Sequence, residues 1–595
     1  MPETFTEEDG WRKRGYQSFA GGLNASLDTS ALEDDEVAVA TNVVIFKKRL
    51  ELERGYTTFG STILGTPRTK VSFQLGNGTV KDILVTNVTV YVWNSVALEW
   101  QYISNATSTT LTANASAGNT TITVASISGF TAGEKIAIEL DSGAQHRTTI
   151  NGAPAGNTIT LTDAFTGSGV VATSGNDAFE AVALTGTDSL PVDTVPYPGA
   201  DVLVITNSVN TPLKYNGTTC IPITGLPGSS FAARFCETFG DYLLFGYTTE
   251  DGVDKPYRIR RNDTGDITDW TTGNAGYDDL LETPDFLTGL YQLGPYMIAY
   301  KDNTNVRGQL LNQTNRIFDW KVAVRNAGAV SNKAIVEIPD SPAGPGGHMV
   351  MGPYGIYRYR GDFGTEHVDA NIFDKVFAQS GEMVASEKMT AFGILIEEYA
   401  EAWFFYSITA DNWPTRVVRV NIDTGAWVSR DFGIQLSGAG VHIDTAARTW
   451  DSFSDTWNDH AEVWNSRSLQ TDNPVILLLG ATALRVYKYD FVQTADNGTA
   501  ITFTIETKDF IFNEALERLD RFVASIKGTV TALSYSTDRG GSWTSIGTFS
   551  GGVNFTRSLL FLQTVVSQVR FRLTGTGASF GVEYFYFYSR EETAT

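Results

Sequence analysis

The sequence predicts an all-β protein: a β-propeller of six or seven blades with an inserted small β-barrel-like module and a C-terminal β-sandwich. Three observations support this prediction. Aromatic residues make up 12% of the chain, with 24 Tyr and 34 Phe, and such side chains pack well on pleated sheets. An apolar strand recurs roughly every 40 to 70 residues, the spacing of propeller blades. The composition also changes at the ends of two further segments, which therefore form separate modules.

Residues 1–60 form an N-terminal arm that differs from the rest of the chain. Within it, Ser30-Ala31-Leu32-Glu33 matches a capping box, so we expect a short helix from residue 30 to about residue 40. A strand over residues 42–46 and a charged run over residues 47–56 follow. Two roles are open for the arm, since it either mediates subunit contacts or completes the fold.

The blades are expected over residues 61–106 and 183–490. Their apolar strand, taken as the first of each unit, occurs at residues 82–87, 201–207, 241–245, 296–300, 348–351, 402–406 and 475–479. An alternating strand follows in several units, as in Val90-Tyr91-Val92-Trp93-Asn94, and alternation indicates a half-buried strand. A pair of stacked β-sandwiches is the alternative, because its strands would look the same locally.

Two segments depart from the blade pattern. Residues 107–182 contain clean alternation, as in Thr121-Ile122-Thr123-Val124, but almost no aromatic residue, which predicts an inserted small β-domain. Residues 491–595 alternate again, as in Ile501-Thr502-Phe503-Thr504-Ile505, and end in an aromatic-rich strand over residues 582–588. This rhythm predicts the C-terminal β-sandwich.

The charge and cysteine content restrict the function. The formal net charge of −23 argues against a nucleic-acid-binding protein, which would need clustered Lys and Arg to neutralise phosphates. The two cysteines, Cys220 and Cys236, are too few for a disulfide-stapled scaffold, and we expect buried free thiols. We also expect no signal peptide and no membrane span, because the N-terminus is acidic and no run of 18 apolar residues occurs.

The sequence gives little support for catalysis or cofactor binding. The five histidines are scattered without metal-ligand spacing, so we expect neither a metal site nor a cofactor. Asp263-Thr264-Gly265-Asp266 resembles part of a calcium loop but lacks the full ligand series, which favours a turn. In Tyr257-Arg258-Ile259-Arg260-Arg261 the arginines alternate between the two faces of a strand, as interface or solvated charges would.

One local motif is sharper. Ser536-Thr537-Asp538-Arg539-Gly540-Gly541-Ser542-Trp543 resembles the Asp-box of sialidases and related propellers. In those families the box is a fold-stabilising turn away from the active site, and we predict that role for Ser536, Asp538, Gly540 and Trp543. A single copy outside the blades gives a sialidase-like glycosidase little support, although the many carboxylates leave that alternative open.

The N-terminal arm carries a resemblance to phage virion proteins. The residues that carry it are Gly21-Gly22-Leu23-Asn24, the acidic stretch from Leu32 to Ala38, Asn42-Val43, and the run from Arg49 to Arg54-Gly55-Tyr56. This order is similar to the opening of tail hub, or nozzle (tail tubular), proteins of short-tailed bacteriophages. The chain departs from that pattern at Glu53-Arg54, where the family usually has a basic residue followed by proline.

The resemblance implies a structural virion protein of the phage tail, made in the host cytoplasm. Such a protein forms a ring, usually a homohexamer, that extends the DNA exit channel below the portal and the head-to-tail adaptor and anchors tail fibres or spikes. Viral DNA passes through it without sequence-specific binding, and no catalytic residue is carried over. A receptor-binding or glycan-cleaving tail protein is the alternative.

The charge leads to a hypothesis about the ring. A conduit for a polyanion should be lined by carboxylates and polar groups, because Lys and Arg would bind each phosphate and slow the DNA. Outward-facing acids should share the remaining charge. The two basic clusters, Arg12-Lys13-Arg14 and Lys47-Lys48-Arg49, are then the candidates for inter-subunit or adaptor contacts.

Overall fold

The computed structural model describes residues 11–313, 316–340, 346–410, 412–444, 473–489, 493–512, 516–528, 531–577 and 579–592. Two compact units make up these residues: one within Met1–Thr57, Ala334–Gln435 and Tyr489–Thr595, the other within Thr58–Lys333 and Leu436–Lys488. The described chain is almost wholly β-sheet. Its helical elements are α1 (Phe373–Val376) and short 3-10 helices at Pro198–Ala200, Asn332–Ala334, Ala385–Thr390 and Glu397–Tyr399. None of these described helices has the length and apolar content needed to cross a membrane.

The arm contains short strands and no helix among its described residues. They are β1 (Arg12–Tyr16), β2 (Gly22–Leu23), β3 (Glu36–Val37), β4 (Val39–Thr41), β5 (Val43–Phe46), β6 (Arg49–Leu52) and β7 (Tyr56–Phe59). The helix predicted from residue 30 to about residue 40 is therefore wrong. Asp28 accepts the backbone N–H of Ser30 at 3.0 Å, which places Ser30 in a turn. Beyond it, Ala40 pairs with Ile505, far away in sequence, so strand pairing overrides the local capping pattern.

The first blade and the inserted module follow the arm, both in the second unit. The blade is an antiparallel meander of β8 (Pro67–Gln74), β9 (Val80–Thr86), β10 (Val90–Asn94) and β11 (Glu99–Tyr102). The module comprises β12 (Ser104–Thr110), β13 (Ala115–Ser116), β14 (Thr121–Thr123), β15 (Lys135–Glu139), β16 (Gln145–Thr149), β17 (Thr158–Thr160), β18 (Val170–Ala172) and β19 (Asp177–Ala181). Leu111, Ile136, Ile150 and Leu161 belong to a hydrophobic cluster made of module residues, so the insertion is a small barrel-like domain with its own core.

Five further four-stranded meanders follow. They are β20 (Asp193–Tyr197), β21 (Val202–Thr206), β22 (Leu213–Tyr215) and β23 (Cys220–Pro222); β24 (Phe231–Phe239), β25 (Tyr242–Glu250), β26 (Val253–Arg261) and β27 (Gly276–Asp279); β28 (Leu287–Leu293), β29 (Tyr296–Lys301), β30 (Thr304–Gln313) and β31 (Arg316–Arg325); β32 (Ile335–Ile338), β33 (Gly347–Gly352), β34 (Gly355–Tyr359) and β35 (Glu366–His367); and β36 (Phe392–Ile396), β37 (Glu401–Tyr406), β38 (Arg416–Asn421) and β39 (Trp427–Asp431). Next, β40 (Leu436–Asp444) pairs with β41 (Asn473–Gly480), and β42 (Arg485–Tyr489) follows. These repeated meanders are propeller blades, and the predicted fold class is confirmed.

The recurring apolar strand occupies one position in every blade, but not the predicted one. It is the second strand of its meander, as β9 and β21 show, whereas the sequence interpretation placed it first. All five residues of β21 are buried, while the preceding β20 alternates in exposure. A strand that is buried on both faces is a continuous apolar run, which is visible in the sequence. The first strand of the blade is only partly buried, so it contains no such run.

The C-terminal segment forms the predicted β-sandwich, within the first unit. Its strands are β43 (Ala495–Asp496), β44 (Thr499–Glu506), β45 (Phe510–Ile511), β46 (Glu517–Gly528), β47 (Thr531–Ser536), β48 (Thr544–Phe549), β49 (Thr556–Val566), β50 (Gln568–Gly577) and β51 (Phe580–Glu591). One sheet has the order β49-β46-β51-β6-β5, with β1 also on β51, and in the other β50 pairs with β44, β45 and β47. Phe522 contacts Phe571 of the facing sheet and Phe585 of its own sheet, each at 5.0 Å between ring centroids. The arm thus supplies three of the six strands of one sheet.

Candidate functional site

The first predicted basic cluster lies on β1, at the edge of the six-stranded sheet. Arg12 and Arg14 direct their guanidinium groups to Glu517, at 3.5 and 3.1 Å, and the Glu517 side chain is almost fully buried. Lys13, between them, points to the other face, where its ammonium lies 4.0 Å from the ring centre of Tyr586. Arg12 and Arg14 therefore pair with a carboxylate of their own subunit, whereas Lys13 lies on the outer face of the sheet.

The second basic cluster forms a tight hairpin between β5 and β6. Lys47 and Lys48 both have positive φ angles, 50° and 66°, and Phe46 pairs with Arg49, which is the geometry of a two-residue turn of type I′. Both lysine side chains are exposed. Arg49 instead contacts Glu51 at 2.6 Å. Both clusters therefore lie on strands of one sheet, since β1 and β6 each pair with β51.

The outer face of this sheet carries a band of tyrosines. Tyr584, Tyr586 and Tyr588 alternate along β51 with Phe585 and Phe587, which are fully buried. Cross-strand pairing aligns Lys13, Tyr588, Arg521 and Phe561 in one row across four strands, and Tyr586, Val523 and Leu559 in the next. We call the set Lys13, Arg521, Leu559, Phe561, Tyr584, Tyr586 and Tyr588 the tyrosine face. Within it Leu559 and Phe561 are exposed, Tyr584 and Tyr586 are half-buried, and Tyr588 is only 4% exposed. The tyrosine face is an apolar and cationic surface on a strongly acidic chain.

Contacts within the tyrosine face hold its side chains in place. The rings of Tyr584 and Tyr586 stack at 5.9 Å, and the Arg521 guanidinium lies 5.0 Å from the ring centre of Tyr588. At the β49 edge, 63% of Phe561 and 44% of Leu559 remain exposed. Sequence analysis identified the aromatic strand but missed this face, because the strands β46 and β49 that complete it carry no comparable local signal.

The Asp-box forms the predicted kind of turn, between β47 and β48. The Asp538 carboxylate accepts the Ser536 hydroxyl at 2.7 Å and both the backbone N–H and the hydroxyl of Ser542, at 2.8 and 2.7 Å. These bonds, the Ser536 hydroxyl first, lower the pKa of Asp538 to about 2. Gly540 adopts a φ of 93°, and the Arg572 guanidinium lies 4.1 Å from the ring centre of Trp543. These hydrogen bonds all lie within residues 536–542, so the Asp538 carboxylate stabilises the turn.

An ionic cluster buried in the first unit was not predicted. The carboxylate of Glu53 pairs with Arg419 and lies 3.7 Å from Nη1 of Arg430, and all three side chains are fully buried. Tyr489 donates its hydroxyl to Glu53 at 2.6 Å. Burial acts to raise the pKa of Glu53, but the two guanidinium groups outweigh it and lower that pKa. Because these charges are neutralised away from solvent, the cluster serves the fold.

The remaining candidates are structural. Arg258 and Arg260 lie on one face of β26, where both bind Glu250, and Arg261 lies on the other face, as the alternation predicted. The Asp266 carboxylate accepts the N–H and the hydroxyl of Thr268, at 2.8 and 2.7 Å, which is the predicted turn. In the part of the chain that the structure describes, no three His, Cys, Asp or Glu side chains are grouped so that they could hold a metal ion.

The two cysteines are buried free thiols, as predicted, and burial raises the pKa of each.

Comparisons with known proteins give no family. No family model and no curated protein matches the chain. Among solved structures, an exo-β-1,3-galactanase of Phanerochaete chrysosporium with galactose is 9% identical, with a TM-score of 0.21 over 83% of this chain and 98% of that one. The Pan2 WD40 domain of Neurospora crassa is 9% identical, with a TM-score of 0.30 over 74% and 97%. The C-terminal domain of a Bacteroides fragilis chitobiase is 13% identical, with a TM-score of 0.13 over 16% and 66%. These similarities are too weak to indicate a function, so the function is inferred from this chain's own residues.

Proposed function

We propose that this chain is a non-enzymatic structural subunit of the tail of a short-tailed bacteriophage. In this proposal six copies form a ring that extends the DNA exit channel below the portal and adaptor and anchors fibres or spikes. The observation that carries the proposal is the tyrosine face, an ordered apolar and cationic surface built partly from the arm that resembles phage nozzle proteins. The neighbouring copy in the ring is its proposed partner.

The residues of the arm that carry the resemblance have roles in folding. A Cβ atom on Gly22 would lie 2.6 Å from the carbonyl oxygen of Trp427, and one on Gly55 would lie 2.0 Å from that of Ala495. Only glycine allows these close approaches. Asn24 accepts the N–H groups of Ser26 and Leu27, each at 3.3 Å. The pattern therefore describes how the arm packs against other strands of the first unit, which supports a shared architecture and implies no chemistry.

The composition of the tyrosine face supports a protein partner. Tyrosine and arginine are enriched at protein interfaces, and exposed apolar patches on soluble proteins mark interaction sites. Copies of a chain with a net charge of −23 repel one another unless cationic surfaces meet acidic ones. Lys13 provides such a contact at the edge of the face. The exposed Lys47 and Lys48, on the same sheet, remain proposed contacts for a neighbouring copy or the adaptor.

Assembly of matched variants tests the proposal. Phe561→Glu places a carboxylate in the face and should weaken association at least about tenfold, since an unpaired charge at an interface costs ~1.4 kcal/mol or more. Tyr354→Glu, at a residue 58% exposed outside the face, is the control and should assemble normally. Light scattering and negative-stain images give the mass and the symmetry. A wild-type chain that stays monomeric at every concentration and with its tail partners would refute the proposal, as would normal assembly of Phe561→Glu.

A further inference from the structure

A cleft lies beside the third and fourth blades of the second unit. Its volume is about 330 Å³, within the ~300–1,000 Å³ range of small-molecule sites. Residues of β27, β31 and the segment after β27 line it, among them Tyr277, Asp278, Glu282 and Trp320. The proposed ring makes no use of this cleft.

Aromatic rings form one side of the cleft and are held rigidly. Trp320 stacks on the buried Phe318 with 5.6 Å between ring centroids. Gly308 lies opposite Trp320 on the neighbouring strand, and a Cβ atom there would come within 2.5 Å of the indole. The absence of a side chain on Gly308 therefore lets the indole lie against the sheet. At the edge of the cleft, Tyr277 is 50% exposed.

Polar groups in the cleft are fixed by partners. The Asp278 carboxylate accepts from Nη1 of Arg261 at 2.8 Å and from the indole N–H of Trp320 at 3.2 Å, which ties it to the aromatic wall. A carboxylate has about four acceptor positions, so Asp278 keeps capacity for a ligand's hydroxyl groups. Glu282 is exposed on the same lining. A rigid aromatic surface, the fixed carboxylate of Asp278 and the exposed carboxylate of Glu282 thus occur together.

Charge restricts the ligand that this cleft can take. The lining contains three carboxylates, Asp278, Asp279 and Glu282, and two guanidinium groups, Arg261 and Arg316. Phosphates and acidic sugars are therefore disfavoured. A cationic ligand finds little unpaired charge here, because Asp278 already pairs with Arg261 and Asp279 with Arg258, each at 2.8 Å. A neutral ligand with hydroxyl groups and an apolar face remains.

We infer that the cleft binds a neutral sugar residue of an oligosaccharide. The C–H face of a pyranose ring packs on the aromatic wall at Trp320, and its hydroxyl groups donate to Asp278 and Glu282. The inference goes beyond the proposed ring and does not depend on it, because each cleft residue named lies within one compact unit of a single subunit. It assigns binding and no cleavage.

Binding of defined sugars to the full chain tests this inference. The probes are glucose, galactose and N-acetylglucosamine and a β-linked trisaccharide of each, with sialyllactose as the acidic comparison, followed by saturation-transfer NMR and tryptophan fluorescence. At least one neutral probe should bind saturably and more tightly than sialyllactose. Glu282→Gln and Asp278→Asn should each weaken that binding about tenfold, because the neutral amide oxygen still accepts the sugar hydroxyl but more weakly than the charged carboxylate does.

Controls separate binding from folding and from assembly. Glu282 is exposed, so its variant keeps the fold even if Asp278→Asn does not. Tyr354→Leu, which changes an exposed tyrosine outside the cleft, should bind as the wild type does. The inference is overturned if no neutral probe binds saturably, if sialyllactose binds more tightly, or if Glu282→Gln leaves binding unchanged. Ring formation, measured separately, stays the same in the Glu282 variant, so failure of one proposal is distinct from failure of the other.

Discussion

The carboxylate of Glu53 and the guanidinium of Arg419 form an ion pair in which both side chains are fully buried. Glu53 directly follows β6 in the arm, and it is the carboxylate that Arg419 and Arg430 share. Each guanidinium also has a second carboxylate nearby, Glu401 for Arg419 and Asp496 for Arg430. A basic residue here would add a third cation beside two fully buried guanidinium groups.

Glu53→Gln should therefore destabilise the protein strongly. The amide can still accept the Tyr489 hydroxyl, but it removes the fully buried carboxylate that both guanidinium groups share, and breaking such a buried pair costs about 3–5 kcal/mol. Urea unfolding of the variant and the wild type measures the loss. The control is Glu366→Gln, because Glu366 pairs with Arg360 at 3.2 Å with both side chains exposed, and such pairs contribute ~0–1 kcal/mol. Equal effects of the two substitutions would contradict the buried-pair interpretation.

Asp193 should make stability depend on pH. It is half-buried on β20 and accepts the backbone N–H of Cys236 at 3.0 Å, and desolvation raises its pKa from 3.8 to about 6. Because the folded-state pKa is raised, the stability that protonated Asp193 contributes is fully present below pH 3.8 and is lost as the pH rises through 6. The loss is up to about 3 kcal/mol at 1.36 kcal/mol per pKa unit.

Asp193→Asn removes this titration. Relative to wild type, the variant should gain stability as the pH rises from 4 to 7, measured as the urea midpoint at each pH. Asp254→Asn, at an exposed site, should follow the wild-type curve. The half-buried Lys333 acts in the opposite direction, because desolvation lowers its pKa to about 7, so the stability it contributes grows as the pH rises above 7. Parallel wild-type and Asp193→Asn curves between pH 4 and 7 would contradict the assignment.

Local sequence pattern predicted those parts of the fold that depend on neighbouring residues. The second strand of each blade is buried on both faces and appears as an apolar run, and the alternation of Tyr586 and Phe587 reflects the two faces of β51. The helix expected from residue 30 failed because Ala40 finds its strand partner at Ile505. The cleft was equally invisible, since the hydrogen bond that organises it joins Asp278 to Trp320, on different blades.

The inserted module should be removable, because its core is its own. Leu111, Ile136 and Ile150 belong to a cluster that contains module residues only, and β11 and β20 of the flanking blades lie outside the module. Replacing residues 107–178 with a Gly/Ser linker should leave a folded, soluble chain. Loop closure entropy changes slowly with length, about 0.6 kcal/mol per doubling, and does not oppose the excision.

The excised chain should nevertheless be less stable, because the module covers part of the first blade. Arg147 donates to the Trp100 carbonyl at 2.8 Å, and Gln145 accepts the N–H of Tyr102 at 2.7 Å. Excision exposes these groups and should lower the melting temperature while the transition stays cooperative. The control is removal of residues 231–279, a whole blade, which should abolish folding because its neighbours lose the sheet they pack against. Insoluble or molten protein after the 107–178 replacement would show that the module and the blade fold as one unit.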